Sequence, residues 1–278
     1  MMGHVLSNAG TPVAGHSSLA QPILSVRDVS VRFGGIVALD GVSFDVTRGQ
    51  VLGLIGPNGA GKSTLFNCLS GLYRSSSGSI KFDGTELDRV RRHRMAELGL
   101  GRTFQNLALF NQMTVRDNVL VGTHARHHVG FLRDAFRFIG AKRKEEEAQE
   151  RADMLIDLLS LRSVEHRLVV DLPFGTQKRV EMARALACEP KLLLLDEPAC
   201  GLNHSEMHEL EQMIRLVRDR FRLTVLLVEH HMGLVMSLTD RIVALNFGRK
   251  IAEGTPQEIR QDPEVIRAYL GDDEEDDK

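Results

Sequence analysis

Gly56-Pro57-Asn58-Gly59-Ala60-Gly61-Lys62-Ser63-Thr64 follows the apolar run Val51-Leu52-Gly53-Leu54-Ile55 and precedes Leu65-Phe66-Asn67-Cys68-Leu69. The first run has the length and continuity of a buried strand, and the second opens a helix. The residues between them fit GxxxxGK[ST] in full. A phosphate chain wrapped by backbone N–H groups leaves no room for side chains where the loop passes closest, and glycine answers that need. A helix starting near Gly61 turns its positive dipole end and unpaired N–H groups towards the phosphates. In this pattern Lys62 reaches the β and γ oxygens and Ser63 offers a hydroxyl to Mg2+. The stretch predicts a nucleoside-triphosphate site.

A chain of 278 residues that is 42% hydrophobic can bury a sizeable core as one large domain or a core with a subdomain. A net charge of −2 supplies no global attraction to nucleic acid or to an anionic membrane surface. No run approaches the ~18 apolar residues of a membrane span. The first 22 residues lack a basic start and a continuous apolar stretch, so they do not read as a secretory signal, and cytoplasm is the expected compartment. Cys68, Cys188 and Cys200 lack CxxC spacing and suit reduced, mostly buried thiols.

Residues 1–22 are small, polar and aperiodic, which predicts a disordered tail. From Ile23 to Phe33, and again from Val42 to Val46, apolar and polar residues alternate as in half-buried antiparallel strands, with Gly34-Gly35 as the turn. Phe33, where the first strand ends, suits either a core position or a stack on a purine base. Residues 78–84 read as another short strand, and Arg89, Arg91, Arg92, His93 and Arg94 as one face of a solvated surface helix, without the interleaved aromatics of a nucleic-acid patch. Residues 101–105 look extended. Residues 114–161 read as mainly helical, with Ala148, Ala152, Leu155 and Leu159 on one face. His124, His127 and His128 have helix-compatible ligand spacing, as do His204 and His208, yet no carboxylate or cysteine frames either set, and a solvated face is expected.

A helix is predicted over residues 176–187, after Leu172-Pro173-Phe174-Gly175. The strand Leu192-Leu193-Leu194-Leu195 then delivers Asp196 and Glu197 to its carboxyl end, where one acid can bind Mg2+ and the other can position water. After a helix over 205–221, a further buried strand at 223–228 ends in Glu229-His230-His231, and one histidine is placed to reach the same edge. A hairpin about Asn246-Phe247-Gly248 and a short helix through Tyr269 complete the order, and residues 272–277 form a run of acids expected to be a solvated tail.

In this order the pieces resemble the nucleotide-binding subunit of ABC transporters over residues 23–271. The resemblance implies an α/β fold of the P-loop NTPase type, a RecA-like mixed sheet core with an antiparallel β subdomain. An α-helical subdomain over roughly 107–188 is inserted in it. It makes Phe33 the adenine-stacking residue, usually a tyrosine in that family, and Gly56, Pro57, Asn58, Gly59, Ala60, Gly61, Lys62, Ser63 and Thr64 the phosphate loop. Gln105 matches the glutamine that contacts Mg2+ or the lytic water, and Asp196 the metal-binding aspartate. Glu197 matches the carboxylate that polarises water, Gly201-Leu202-Asn203 the loop across a dimer, and His230 the histidine that senses the γ-phosphate. Implied cofactors are ATP and Mg2+. Implied partners are polytopic permease subunits at the cytoplasmic face of the membrane and a second ABC ATPase, identical or different. Neither nucleic acid nor the transported substrate is contacted. In the finer pattern Arg102-Thr103-Phe104-Gln105-Asn106, Pro198-Ala199-Cys200-Gly201-Leu202-Asn203, Val228-Glu229-His230 and Ala268-Tyr269-Leu270-Gly271 resemble the Liv-type branched-chain amino-acid importer ATPases. The long helical insert resembles that of the larger member of the pair. Urea importers and lipopolysaccharide-export ATPases share much of this pattern.

One element departs from the family. The signature, LSGGQ in most members, reads Leu172-Pro173-Phe174-Gly175-Thr176 here. Pro173 has neither hydroxyl nor backbone N–H to donate to a phosphate held by the opposite subunit, whereas Gly175 and the following helix start remain to meet it in trans. Other classes fit less well. A GTPase would carry an NKxD motif, which is absent; a small-molecule kinase would not need Asp196-Glu197 and His230 arranged for water; and a soluble, non-transport ABC ATPase commonly has two fused cassettes or sustained heptads, neither of which is present.

Overall fold

The computed structural model describes residues 21–103, 107–124 and 138–270. Two sheets organise them. An antiparallel sheet is formed by β1 (Leu24–Phe33), β2 (Ile36–Val46), β4 (Ser77–Phe82) and β5 (Thr85–Glu86), in the order β2-β1-β4-β5. A mixed sheet is formed by β3 (Val51–Ile55), β6 (Leu100–Arg102), β7 (Leu192–Asp196), β8 (Thr224–Val228), β9 (Arg241–Asn246) and β10 (Arg249–Gly254), in the order β10-β9-β3-β8-β7-β6. In it only the β9–β10 hairpin is antiparallel. The helices are α1 (Lys62–Leu69), α2 (Met95–Leu98), α3 (Val115–His124), α4 (Phe138–Leu158), α5 (Phe174–Ala187), α6 (His204–Phe221), α7 (Met232–Leu238), α8 (Pro256–Gln261) and α9 (Pro263–Leu270).

Every residue of β3, β7 and β8 is buried, which explains their continuous apolar runs: a parallel strand covered on both faces has no polar side to show. The two-residue period of a strand divides the core. Leu192, Leu194, Leu226 and Val228 face one way and pack with Phe66, Leu69, Phe44 and Ile80, from α1 and the antiparallel sheet. Leu193, Leu195, Val225 and Leu227 face the other way, against Val119 of α3, Leu155 of α4, Val180 of α5 and Ile214 of α6. The expected helical face does this work, with Ala152 and Leu155 of α4 and Leu159 just past its end buried and Ala148 half-buried.

Several elements differ from the sequence expectation. The second strand begins at Ile36, not Val42, because Gly34 at φ 57° closes a tight turn that pairs Phe33 with Ile36. Ile36 and Val37 are exposed, so alternation did not mark them. The basic stretch at 89–94 is not one helix but two single 3-10 turns, Leu87–Arg89 and Arg92–Arg94, separated by extended backbone at Val90 and Arg91. Val90 turns inward against the core there, and that contact outweighs helical continuity. α5 begins two residues earlier than expected, at Phe174, so Gly175 lies inside its first turn with Pro173 as the N-cap. Of the expected extended run at 101–105, Gly101 and Arg102 lie in β6, and Phe104 to Asn106 lie outside the described residues. So do His127, His128, residues 1–20 and the acidic run. Among the described residues no helix is long and apolar enough to cross a membrane.

Candidate functional site

The parallel strands β3, β8, β7 and β6 are neighbours, and their register brings four functional stretches to one edge. Leu54 pairs with Val228, Asp196 with Val228, and Arg102 with Leu194. Residues far apart in sequence therefore leave the sheet side by side, at a strand spacing of about 4.8 Å: the phosphate loop after β3, Glu229 and His230 after β8, Asp196 and Glu197 at the end of β7, and Arg102 at the end of β6.

The loop needs its glycines for steric reasons. Gly56, at φ 150°, would place a Cβ 2.2 Å from the Leu245 carbonyl oxygen, and Gly61, at φ 99°, would place one 2.7 Å from that of Ala38. The Gly56 N–H donates to the Tyr269 hydroxyl at 2.8 Å, so α9 ties down the start of the loop. Lys62 is buried, and its ammonium donates to the carbonyl oxygens of Gly56 at 2.5 Å and Pro57 at 2.9 Å, curling back into the hollow of the loop. Burial pushes this ammonium below the ordinary lysine value, and the Glu197 carboxylate draws it back up. These are the contacts that phosphate oxygens can replace. The cradle closes so tightly on its surroundings that only glycine fits at Gly56 and Gly61, which leaves backbone N–H groups to face a polyphosphate. Ser63, exposed at the first turn of α1, and the buried carboxylate of Asp196 are hard oxygen donors of the kind Mg2+ takes.

Glu197 has φ 46°, a left-handed backbone that a non-glycine residue adopts at a cost of order 1–3 kcal/mol. Its N–H is held by the Val228 carbonyl at 2.9 Å, which keeps the turn in place. Its Oε2 lies 3.9 Å from Nδ1 of His230, too long for a direct hydrogen bond and short enough for one small group to contact both. Between these two residues and Lys62 the edge holds a carboxylate, an imidazole and an ammonium, the set that can order a water against a phosphorus centre.

The wholly buried Glu229 is a residue whose role the sequence did not suggest. Its Oε1 accepts from the Ala199 N–H at 2.7 Å, and its Oε2 accepts from the backbone N–H groups of His230 at 3.0 Å and His231 at 3.3 Å. An acid set directly after the buried strand β8, whose last four residues are apolar, was the available signal. Tyr269 was similarly legible only as part of a motif.

The remaining candidates are distributed as follows. Phe33 is 45% exposed with its ring 5.2 Å from that of Tyr73 in an edge arrangement, which removes the core alternative and leaves an open aromatic face at the β1–β2 turn. Gly175, in the first turn of α5, packs against Glu206 of α6, not against the chain's own phosphate loop. Gln105 lies outside the described residues. His204 and His208 are exposed, and His208 meets Gln212 at 2.8 Å.

Comparison with known proteins gives a consistent result. Residues 39–200 match the family model described as ABC transporter, and residues 249–275 match that of the branched-chain amino acid ATP-binding cassette transporter. The chain is 44% identical over 254 residues to the high-affinity branched-chain amino acid transport ATP-binding protein BraF of Pseudomonas aeruginosa, covering 91% of this chain and 100% of that protein. It is 41% identical, with the same coverage, to the corresponding LivG protein of Escherichia coli. Among solved structures it is similar to the ADP conformation of MJ1267, an ATP-binding cassette of an ABC transporter, with a TM-score of 0.78 and 30% identity over 90% of this chain and 99% of that one.

Proposed function

The chain belongs to the ABC transporter family of ATP-binding proteins, and from that membership we propose that it is the ATPase subunit of an importer for branched-chain or related amino acids. The observation that carries the ATPase chemistry is the row of functional stretches at one sheet edge, where the buried Lys62 lies within the field of Glu197 and Glu197 faces His230 at 3.9 Å. Lys62 and the loop amides bind the phosphates of ATP, Phe33 stacks on adenine, Glu197 polarises water and His230 senses the γ-phosphate. Gln105 contacts the metal or the water. Ser63 and Asp196 would hold Mg2+, which would supply positive charge against the developing phosphate charge.

The cargo is inferred from the names of the relatives and from the match at residues 249–275. A partner ATPase is supported by the position of the signature: the first turn of α5 opens on a cleft of about 610 Å³ lined by Pro173, Gly175, Thr176, Leu202 and Glu206, none of them from the phosphate loop. The opposite cassette brings its nucleotide there, so Gly175 acts in trans. Docking to polytopic permease subunits at the cytoplasmic face is supported by exposed Phe110, Met113, Leu168 and Val170. They are brought together where the Val169 N–H donates to the Met113 carbonyl at 3.2 Å and Thr114 bridges to Leu168. In this organisation residues 107–188 form the helical subdomain that receives the permease.

Isolation of the chain from native membranes in mild detergent, followed by mass spectrometry, tests the proposal. Two polytopic subunits and a second ATPase are expected to accompany it. Recovery with soluble proteins alone, under conditions that preserve a known transporter, overturns the transport reading in favour of a soluble ABC ATPase.

A further inference from the structure

Arg102 ends the three-residue strand β6, and no sequence pattern assigns it a chemical task. Its guanidinium is nonetheless inside the site. Nη2 donates to Asp196 Oδ2 at 2.8 Å, with side-chain exposures of 12% and 9%. Nη1 donates to Asn67 Oδ1 at 3.0 Å and also to the Ser70 hydroxyl. The guanidinium carbon lies 5.7 Å from the centre of the Phe66 ring. Asn67, Phe66 and Ser70 all belong to α1 or its C-cap, the helix whose first turn carries Lys62 and Ser63.

One planar cation therefore bridges the end of β7 and the helix that the phosphate loop opens. A guanidinium can do this because its donors are fixed in a rigid fork, so that holding Asn67 on one side fixes the direction in which Asp196 is held on the other. We propose that Arg102 is a positioning residue for metal binding. It fixes Asp196 against α1, the helix that carries Ser63, so that the carboxylate and the hydroxyl that would hold Mg2+ keep a constant separation and orientation. Mg2+ tolerates little departure from that geometry, which makes the separation of its protein oxygens consequential. The inference rests on the assignment of Asp196 and Ser63 as metal donors made above.

A simpler alternative gives the opposite sign. If Arg102 merely neutralised Asp196 in competition with the metal, replacing it would tighten metal binding. Arg102→Lys separates the two: it keeps the positive charge, yet a single ammonium cannot hold Asp196 and Asn67 in one plane. The test uses the full chain with ADP, reading bound Mn2+ by electron paramagnetic resonance, metal-free ADP affinity by calorimetry, and thermal unfolding as a check of folding. Arg102→Lys is expected to weaken Mn2+ binding about tenfold, as loss of a group that orients a metal ligand does, and to leave metal-free ADP affinity within about twofold. Asn67→Leu, which loosens the fork without touching Asp196, is expected to weaken Mn2+ binding by a smaller factor, and it decides alone if Arg102→Lys does not fold. Unchanged or tighter Mn2+ binding in the folded variant overturns the proposal. Asp196→Asn serves as the reference. If it also binds Mn2+ as the parent does, the metal-site assignment itself fails; if it does not while Arg102→Lys does, only the positioning role fails.

Discussion

The carboxylate of Glu229 accepts the backbone N–H of Ala199 at 2.7 Å, joining the strand end that bears His230 to the loop that leaves Glu197. The same carboxylate accepts the backbone N–H groups of His230 and His231 at Oε2, so each of its oxygens faces a backbone donor. Replacing either oxygen by an amide nitrogen sets donor against donor. Glu229→Gln is expected to lower stability by about 1–3 kcal/mol, the cost of leaving buried donors unpaired. It should also lower kcat more than it weakens ATP binding, because His230 and Glu197 lose their common brace. Thermal unfolding and steady-state hydrolysis measure the two effects; a variant equal to the parent in both would remove Glu229 from the site.

Glu197→Gln is expected to retain ATP binding and lose turnover. The amide keeps the size of the side chain and its place 3.9 Å from His230, but it cannot draw a proton from water. Near-normal hydrolysis would show that the base is another residue.

Gly61→Ala tests the cradle separately from the chemistry. A Cβ at φ 99° and 2.7 Å from the Ala38 carbonyl oxygen is strained in both respects. The expected result is a loss of about 1–3 kcal/mol in unfolding free energy, with the thermal shift on adding ATP abolished. A full nucleotide-induced shift would mean that the loop reshapes freely.

Pro173→Ser restores a hydroxyl at the N-cap of α5, where no side chain caps the helix at present. One charge-assisted hydrogen bond to phosphate contributes about 1.5–3 kcal/mol, so ATP-driven dimerisation is expected to tighten. Because a serine cap stabilises the monomer by about 0.5–2 kcal/mol as well, sedimentation with ATP is compared with unfolding of the monomer without it. Unchanged dimer affinity would count against the signature's phosphate contact.

Arg116 donates to both carboxylate oxygens of Asp153 at 2.9 and 3.1 Å, and to Glu165 at 2.9 Å, joining the start of α3 to the end of α4. Arg116 foremost, and next Arg162, which donates to Asp153 Oδ1 at 2.8 Å, hold the Asp153 carboxyl down to about 2. Since this lies below the unfolded value of about 3.9, the stabilisation is full above about pH 4 and is lost as pH falls towards about 2. Asp153 is well exposed, so its share is no more than about 1 kcal/mol. Arg116→Met should therefore be less stable than the parent at neutral pH, with the difference narrowing through that acid window in a pH series of melting temperatures.

The phosphate loop, the acids after β7 and the histidine after β8 were legible because each joins an apolar strand to a short invariant-looking pattern of chemistry, and both signals are local. Arg102 and Glu229 were not, because what defines them is a partner far along the chain: Asn67 and Asp196 for one, Ala199 for the other. Ile36 and Val37 misled for the converse reason, being apolar residues on an exposed strand end, where alternation carries no information. The basic stretch at 89–94 had no apolar stripe to hold a helix together, and the inward turn of Val90 decided its shape.

The row of strands β3, β8, β7 and β6 has a consequence for how such a chain can change. Its working parts are aligned by lateral pairing, so the length of chain between them is immaterial to their alignment. Residues 103–191, between the end of β6 and the start of β7, can therefore vary in length, provided that Val119, Leu155 and Val180 still cover Leu193 and Leu195, without altering the spacing of Lys62, Asp196, Glu197 and His230. The strand edge is thus a fixed engine, and the segment proposed to meet a transporter is a coupling whose exposed side can be regrafted while its buried side stays as it is.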